Sequence, residues 1–186
     1  MTPPTPAAAA PDVPVRRPPT EAEARALASV LRQRILRLTA TEDLTNRQLA
    51  DRLAVDPATA LYHLRILVEA GLVEQLPPRA GTRGAREKPY RSTRRSWWLE
   101  SPLAGAAPEL QYGPVALSVA DLGAAGPAAV STFATFALHL SQAEVDELDA
   151  RLVAVLDSYV ATDSDRADAG SPVHRGFFVL HRPATP

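Results

Sequence analysis

Residues 56–73 read DPATALYHLRILVEAGLV, a stretch that carries the signals of a helix with both ends marked. Asp56 can accept a hydrogen bond from a backbone amide of the first turn, and Pro57 suits the first helical position. The helix is predicted to run to about Ala70, because Gly71 can adopt the left-handed conformation that ends a helix. The sequence therefore predicts one well-bounded helix, after which the chain turns into Leu-Val.

The two sides of this helix differ in chemistry. On a helical wheel, the apolar arc consists of Ala60, Leu61, Leu64, Leu67 and Val68, and the opposite side carries Thr59, Tyr62 and Ile66. A helix that rests on its leucines and exposes threonine and tyrosine near its N-terminal half has the form of a recognition helix lying in a DNA major groove. The alternative is an ordinary amphipathic helix with a solvated tyrosine.

Two helices are predicted before it. Thr20 is followed three residues later by a glutamate, the spacing of a capping box, which predicts a first helix over about 21–38. Thr45 and a glutamine repeat that signal before a helix over 46–53. The apolar positions expected to face a core are Leu27, Val30, Leu31, Ile35, Leu38, Leu49 and Leu53.

A hairpin with a basic loop is predicted directly after the third helix. A strand opens at Leu72 and stops near Pro77, and residues 90–93 can pair back with it. The loop between them, RAGTRGARE (79–87), contains two glycines and three arginines. Two strands joined in this way after a helix-turn-helix make a wing.

The wing region is strongly basic. Seven basic residues stand against one acid, Glu87, in the stretch from 79 to 95: Arg79, Arg83, Arg86, Lys88, Arg91, Arg94 and Arg95. Such a run is usually a solvated face, but next to a groove helix its guanidinium groups can contact phosphates or enter a minor groove.

The net charge of -1 conceals a division along the chain. Residues 1–98 hold 16 basic and 10 acidic side chains, a balance of +6, while residues 99–186 hold 4 and 11, a balance of -7. An acidic half would be repelled by a polyanion, so a nucleic-acid surface is expected in the first half.

Four segments are predicted. Residues 1–19, with seven prolines, are expected to be a disordered tail, because they have too little apolar bulk to offset the entropy of ordering. Residues 20–98 form the winged helix-turn-helix domain. Residues 99–127, rich in Ala, Gly and Pro, are expected to be a linker, with a brief strand at 114–119. The remainder from residue 128 forms a C-terminal α+β region for dimerisation or effector sensing.

The C-terminal region is predicted to combine one helix with two strands. Ser141 and a glutamate three residues later predict a helix over about 142–160. The stretches 132–140 and 176–182 have strand-like composition, which suggests that they pair and makes the fold class α+β. The helix carries an apolar stripe expected to hold a dimer together, although it could instead cover its own sheet: Val145, Leu148, Leu152, Val155, Leu156 and Tyr159.

Several function classes are excluded or unsupported. The chain has no cysteine, so disulfides, thiolate metal sites and cysteine nucleophiles are ruled out. No apolar run approaches the roughly 20 residues of a membrane span, and we expect a cytoplasmic protein. AGTRGA (80–85) lacks the strand-to-helix context and the Lys-Ser/Thr ending of a P-loop, and no other catalytic motif is present, so we expect no enzyme and no cofactor.

The ordered series of segments resembles the winged helix-turn-helix of bacterial ArsR-type transcriptional regulators. The resemblance covers about residues 25–98, and its most specific part is HLRILVEAGLV (63–73), followed by REKPYRST (86–93). It implies a homodimer that binds a pseudo-palindromic double-stranded DNA operator through two recognition helices. An architectural or protein-docking winged helix without a specific operator is the alternative.

The resemblance also implies which residues contact DNA. By similarity, Thr59, Tyr62, His63 and Arg65 occupy the stretch that reads the groove and contacts phosphates. For His63, a packing role with one satisfied ring nitrogen is the alternative. The full set of expected DNA-binding residues is Thr45, Asn46, Thr59, Tyr62, His63, Arg65, Arg79, Arg83, Arg86, Lys88 and Arg91.

The sequence departs from the metal sensors of that family. It lacks their cysteines, and its C-terminal helix lacks Asp and His ligands at metal-site spacing. A metal site built from His139, His174 and His181 with nearby carboxylates is the less favoured interpretation, since only the first and last could meet across paired strands. Solvated or strand-surface histidines are the favoured one. A small organic effector is favoured over a metal, held in an apolar pocket between the domains by aromatic residues, although for each residue taken singly a core role is the favoured alternative: Trp97, Trp98, Phe133, Phe136, Phe177 and Phe178.

Overall fold

The computed structural model describes residues 14–80, 86–100 and 103–182. These residues belong to two compact units. The larger unit comprises Arg16–Ala129 and the C-terminal stretch from Arg175, and the smaller contains Val130–His174. The chain mixes helices and sheet, which confirms the predicted class.

The first predicted helix is in fact two helices. α1 spans Glu21–Leu27 and α2 spans Val30–Thr39, so a single helix over 21–38 is wrong. The helix is interrupted at Ser29, which is the N-cap of α2. Its side chain accepts a hydrogen bond from the Arg32 amide. The guanidinium of Arg32 then donates to the carbonyls of Ala26 at 2.5 Å and Arg25 at 2.8 Å, which satisfies the open end of α1. Helical periodicity continues across this break, so periodicity alone cannot reveal it.

The helix-turn-helix follows the prediction closely. α3 spans Asn46–Leu53 and α4 spans Pro57–Glu69, each with the predicted N-terminal cap. The turn between them passes through Ala54 in the left-handed conformation, at φ 53°. Gly71 takes the predicted left-handed conformation after α4, at φ 68°.

The wing hairpin is present, and a third strand that was not predicted pairs with it. β1 spans Leu44–Thr45 and β2 spans Val73–Gln75. β3 and β4, a short pair at the base of the predicted loop, span Arg79–Ala80 and Arg86–Glu87. β5 spans Pro89–Ser92 and lies between β1 and β2, antiparallel to both. The two-residue β1 was not predicted, because it is too short to show alternation.

One hydrophobic core joins these elements. Its fully buried members come from α1, α2, α3, α4 and the start of the wing, which explains why the helices pack as a unit. They are Ala26, Ile35, Leu49, Leu64, Leu67, Leu72 and Val73.

The segment that precedes α1 is held against the end of the wing. The Arg17 amide donates to the carbonyl of Trp98 at 3.1 Å, and the Glu100 amide donates back to the carbonyl of Arg17 at 2.8 Å. The guanidinium of Arg16 donates to the carbonyl of Trp97 at 2.6 Å and lies 4.9 Å from the centre of that ring. Arg16 and Arg17 are therefore held by the chain at Trp97–Glu100, which corrects the tail prediction at these two residues, and residues 1–13 lie outside the described residues.

The stretch predicted as a linker contains a long helix. α5 spans Pro108–Ala125 and packs on α2, so an irregular linker and a strand at 114–119 are both wrong. Pro114 lies inside α5 and cannot donate to the carbonyl four residues earlier. The side chain of Gln33 in α2 donates to that carbonyl, of Leu110, at 3.4 Å. A contact from another helix thus compensates for the proline.

Charged side chains also join α2, α5 and the C-terminal stretch. Arg37 donates through Nε to Asp121 at 2.8 Å and through Nη1 to Ser118 at 3.1 Å. Arg175 donates to the same Asp121 at 3.0 Å and to Thr41 at 3.0 Å. Asp121 therefore links two parts of the larger unit that are distant in sequence.

The smaller unit is helical. α6 spans Gln142–Ala161 with the predicted capping box at Ser141, and α7 spans Asp163–Asp168. The strands predicted at 132–140 and 176–182 are wrong: the structure describes both stretches and has no strand in either. Alternating composition indicates an extended chain, but a strand also needs a hydrogen-bonded neighbour, which a local pattern cannot supply.

Among the described residues, none of the helices combines the length and apolar character that crossing a membrane requires.

Candidate nucleic-acid interface

The candidate interface is built around α4, which is firmly seated on the core. Ala60, Leu64 and Leu67 have no exposed surface. Thr59, Tyr62 and Arg65 are exposed on another side of the helix, as predicted. Ile66 and Val68 depart from the wheel, since Ile66 packs partly against the core and Val68 is exposed. The buried face of α4 is therefore shifted from the predicted arc toward Ile66, but the side that carries Thr59 and Tyr62 is exposed.

The N-termini of α3 and α4 are tied together. The Thr45 hydroxyl accepts from the Gln48 amide at 3.3 Å and caps α3. The side-chain amide of Asn46 donates to the carbonyl of Pro57, the first residue of α4, at 3.0 Å. Asp56 accepts from the Ala58 amide at 2.7 Å. Thr45 and Asn46 were predicted as DNA contacts, and the structure places the Thr45 side chain in the cap of α3 and the Asn46 side chain in the bond that joins α3 to α4.

Tyr62 is the most exposed aromatic group of the helix-turn-helix. It is 62% exposed, so its ring and hydroxyl project beyond the helix surface. Its ring meets the ring of His63 edge to face, with centroids 5.2 Å apart and planes at 75°. A phenol held in this way offers one donor, one acceptor and a flat apolar face to a base edge.

His63 lies on the flank of α4 and is half-buried. Its Nδ1 is 3.3 Å from Nη1 of Arg32 in α2. Burial lowers the pKa of His63 from its usual value, and the neighbouring positive charge of Arg32 lowers it further. Of the two predicted roles, the geometry matches the packing alternative, with one ring nitrogen satisfied inside the protein.

Two of the predicted wing contacts are paired with an acid. Arg91 makes a two-pronged hydrogen bond to the carboxylate of Asp43, at 2.6 and 2.7 Å. Arg79 donates to the Asp43 carbonyl at 3.4 Å and lies 3.7 Å from the carboxylate of Glu87. Their charges are partly neutralised within the protein, and they anchor the wing to the loop before β1.

Other cations have no such partner. Arg65 of α4 and Arg86 and Lys88 of the wing are exposed, and within the described part of the chain none of them forms an ion pair. Arg47 in the first turn of α3 shares these properties and was missed by the sequence analysis. Its signal was its place two residues after Thr45, the predicted cap of α3. Arg83, a predicted contact, lies outside the described residues.

The predicted metal residues do not assemble a metal site within the described residues. Across the described ranges, no group of three His, Asp or Glu side chains could hold a metal ion. His139, His174 and His181 are all exposed. In the larger unit, Trp97 and Trp98 are half-buried near Arg16. Four phenylalanines are each more than 40% exposed: Phe133, Phe136, Phe177 and Phe178.

The predicted dimerisation stripe changes in exposure along α6. Val145, Leu148 and Leu152 are half-buried. Its C-terminal half is open, with Val155, Leu156 and Tyr159 exposed by 58%, 44% and 63%. The described chain therefore leaves the end of this stripe uncovered.

Comparison with known proteins supports the helix-turn-helix. Residues 27–75 match a family described as a helix-turn-helix domain, a segment that includes α2, α3, α4 and β2. A solved structure of a MepR mutant of S. aureus bound to an oligodeoxyribonucleotide is 17% identical in sequence, with 75% of this chain and 78% of that chain covered and a TM-score of 0.30. No curated protein matches the chain. The family match over residues 27–75, together with the observed α3, α4, β2 and β5, shows that the chain contains a helix-turn-helix domain followed by a wing.

Proposed function

We propose that this protein is a sequence-specific DNA-binding transcriptional regulator of the ArsR type. The observation that carries the proposal is the division of α4 into two sides. Ala60, Leu64 and Leu67 fix it on the core, while Thr59 and Tyr62 project into solvent where base edges of a major groove would lie. A helix docked so rigidly presents its polar side chains at little further entropic cost.

The unpaired cations support a DNA partner. Arg47, Arg65, Arg86 and Lys88 come from α3, α4 and the wing, the three elements that flank the proposed groove. Lysine and arginine contacts to phosphates supply most of the non-specific affinity of DNA-binding proteins and fix the register of the protein on the duplex. These residues are therefore proposed as phosphate contacts, with Thr59 and Tyr62 as base readers.

The regulator is proposed to act as a homodimer on a pseudo-palindromic operator. The uncovered end of the α6 stripe supports this, because exposed large apolar side chains on one helix face are typical of protein interfaces. A second copy of the chain would cover Val155, Leu156 and Tyr159 and bring a second α4 to the DNA. A small organic effector remains part of the proposal, supported by the exposed phenylalanines and the absence of cysteine from the sequence.

The test is selection of bound sequences from a random pool of DNA duplexes, followed by titration of the selected duplex and a scrambled copy. We expect an inverted repeat with half-sites about 10 base pairs apart, or a multiple of that, and an affinity ratio of at least 10³. Enrichment of no sequence, with equal affinity for unrelated duplexes, would contradict the proposal and favour an architectural winged helix.

A further inference from the structure

A buried arginine contacts His63, the residue next to the proposed base-reading tyrosine. Arg32 in α2 is 9% exposed. Nε and Nη2 are committed to the end of α1, where they donate to the carbonyls of Ala26 and Arg25. Nη1 points at Nδ1 of His63, 3.3 Å away. The guanidinium is thus fixed by the junction of α1 and α2, and it contacts His63 of α4.

This contact determines the state of the His63 ring. A guanidinium carries donors and no acceptor, so Nδ1 of His63 must accept the hydrogen bond. The ring is therefore neutral and carries its proton on Nε2. A protonated ring would place an N–H and a positive charge against Arg32. Burial and the Arg32 charge lower the pKa of His63, in agreement with this geometry.

The His63 ring in turn supports Tyr62. The two rings meet edge to face, an arrangement that aromatic pairs favour. Tyr62 is otherwise 62% exposed, so His63 is the aromatic contact that restricts the direction of its ring.

We propose that His63 is a positioning residue. Arg32 fixes the His63 ring, the ring holds Tyr62 in the direction in which it reads DNA, and His63 makes no base or phosphate contact of its own. The inference rests on the proposed function and replaces the sequence-based expectation that His63 contacts DNA. It makes operator recognition depend on the neutral ring. The groups that face His63 are Arg32 from α2 and Tyr62 on its own helix, while α1 acts through the carbonyls that hold Arg32.

Two variants separate the ring from the acceptor. His63→Asn keeps a side-chain oxygen that can accept from Arg32 but removes the ring beside Tyr62. His63→Phe keeps a ring but removes the acceptor. We expect each variant to lower the operator-to-scrambled affinity ratio about tenfold. Affinity for the scrambled duplex should stay within about twofold of the parent, because the contact between His63 and Tyr62 supports base reading and no phosphate contact. Circular dichroism confirms that each variant is folded, and His139→Asn, at an exposed site, is the matched control.

A double-mutant cycle with Tyr62→Ala distinguishes positioning from direct contact. Once Tyr62 is absent, we expect His63→Asn to cause no further loss of discrimination. A further tenfold loss would show a DNA contact made by His63 itself and overturn the inference. Unchanged discrimination in the single variants would also overturn it. A parent chain with no sequence preference would instead contradict the proposed function.

The ring state is measurable without DNA. Nitrogen-15 spectra of the full chain, assigned by loss of the signal in His63→Asn, are expected to show a neutral His63 with its proton on Nε2 at pH 7.5. Because its pKa is lowered, this signal should change below about pH 6.5, together with a fall in operator discrimination that His63→Asn does not share. A proton on Nδ1, or discrimination that is independent of pH in the parent, would overturn the proposal.

Discussion

At the scale of single residues, Glu23 is the acid whose environment most alters its chemistry. Its carboxylate is nearly buried and receives two hydrogen bonds from Arg17, at 2.6 and 2.9 Å. The Arg17 guanidinium, helped by Thr20 and opposed by burial, lowers the pKa of Glu23 to about 2 from its usual 4.5. Because the folded pKa is depressed, the stabilisation is full above about pH 4.5 and is lost as the pH falls toward 2.

We expect Glu23→Gln to lower the free energy of unfolding at pH 7 by on the order of 1–3 kcal/mol. The variant should also lose the part of the acid sensitivity that Glu23 causes between pH 4.5 and 2. Denaturant titrations across that range measure both effects. Glu21→Gln is the matched control, since Glu21 pairs with Arg25 at the exposed surface and should change stability little. Equal effects of the two variants would contradict the account.

The wing offers a test of which arginines contact phosphates. Arg86 has no ion pair among the described residues, whereas Arg91 is paired with Asp43. We expect Arg86→Gln to weaken operator and scrambled duplex alike and to make the slope of log affinity against log salt shallower by about one. The paired replacement of Arg91 by Gln and Asp43 by Asn removes equal and opposite charges, so the slope should stay unchanged. A slope that the paired replacement also makes shallower by about one would assign phosphate binding to Arg91.

The pairing of Arg91 marks a limit of sequence reasoning at this scale. The sequence locates a basic wing correctly but treats its cations as equivalent. Asp43, which neutralises Arg91, lies 48 residues earlier and is brought to it by the pairing of β1 with β5. His63 is a similar case, because Arg32 is 31 residues away and its buried position follows from the unpredicted break between α1 and α2.

At the scale of elements, α5 shows how a helix depends on its neighbour. Gln33 donates to the Leu110 carbonyl that Pro114 leaves open, and a Cβ at Gly113 would lie 2.7 Å from Oε1 of Gln33. Gly123, on the same helix, has nothing within 4 Å of such a Cβ. Substitutions at these two glycines therefore compare, within one helix, a position in close contact with α2 and a position with open space around it.

We expect Gly123→Ala to raise the free energy of unfolding by roughly 0.5–1 kcal/mol, the usual gain of alanine over glycine in a helix. Gly113→Ala should lose that gain or destabilise the protein, because the added methyl displaces Gln33 from its buried hydrogen bonds. Denaturant titration measures both variants. If Gly113→Ala stabilises as much as Gly123→Ala, the packing of α5 on α2 is wrong.

The elements with marked ends were predicted best. α3, α4 and α6 each begin at a cap whose partner lies two or three residues along the chain, so local sequence contains the whole signal. α5 has no side-chain cap and carries an internal proline, and its helix depends on Gln33 from another element. A composition rich in Ala, Gly and Pro therefore indicated a linker.

At the scale of the whole molecule, the α6 stripe is the candidate for holding two chains together. We expect Leu156→Glu to turn a dimer into a monomer in sedimentation experiments and to lower operator affinity by 10²-fold or more, about the size of effect that linked binding provides. Val119→Glu is the control, since Val119 on α5 is also exposed, by 54%. A Leu156→Glu chain that still sediments as a dimer would place the interface elsewhere, as would a Val119→Glu chain that becomes a monomer.

The central claim is that the exposed side of α4 reads base sequence, and the most direct measurement is the affinity of Tyr62→Ala for the selected operator and its scrambled copy at several salt concentrations. We expect the variant to lose about 1–3 kcal/mol on the operator and much less on the scrambled duplex, with an unchanged salt slope, because a base contact is lost and no phosphate contact is. Equal losses on both duplexes, or operator binding as tight as that of the parent chain, would contradict the account.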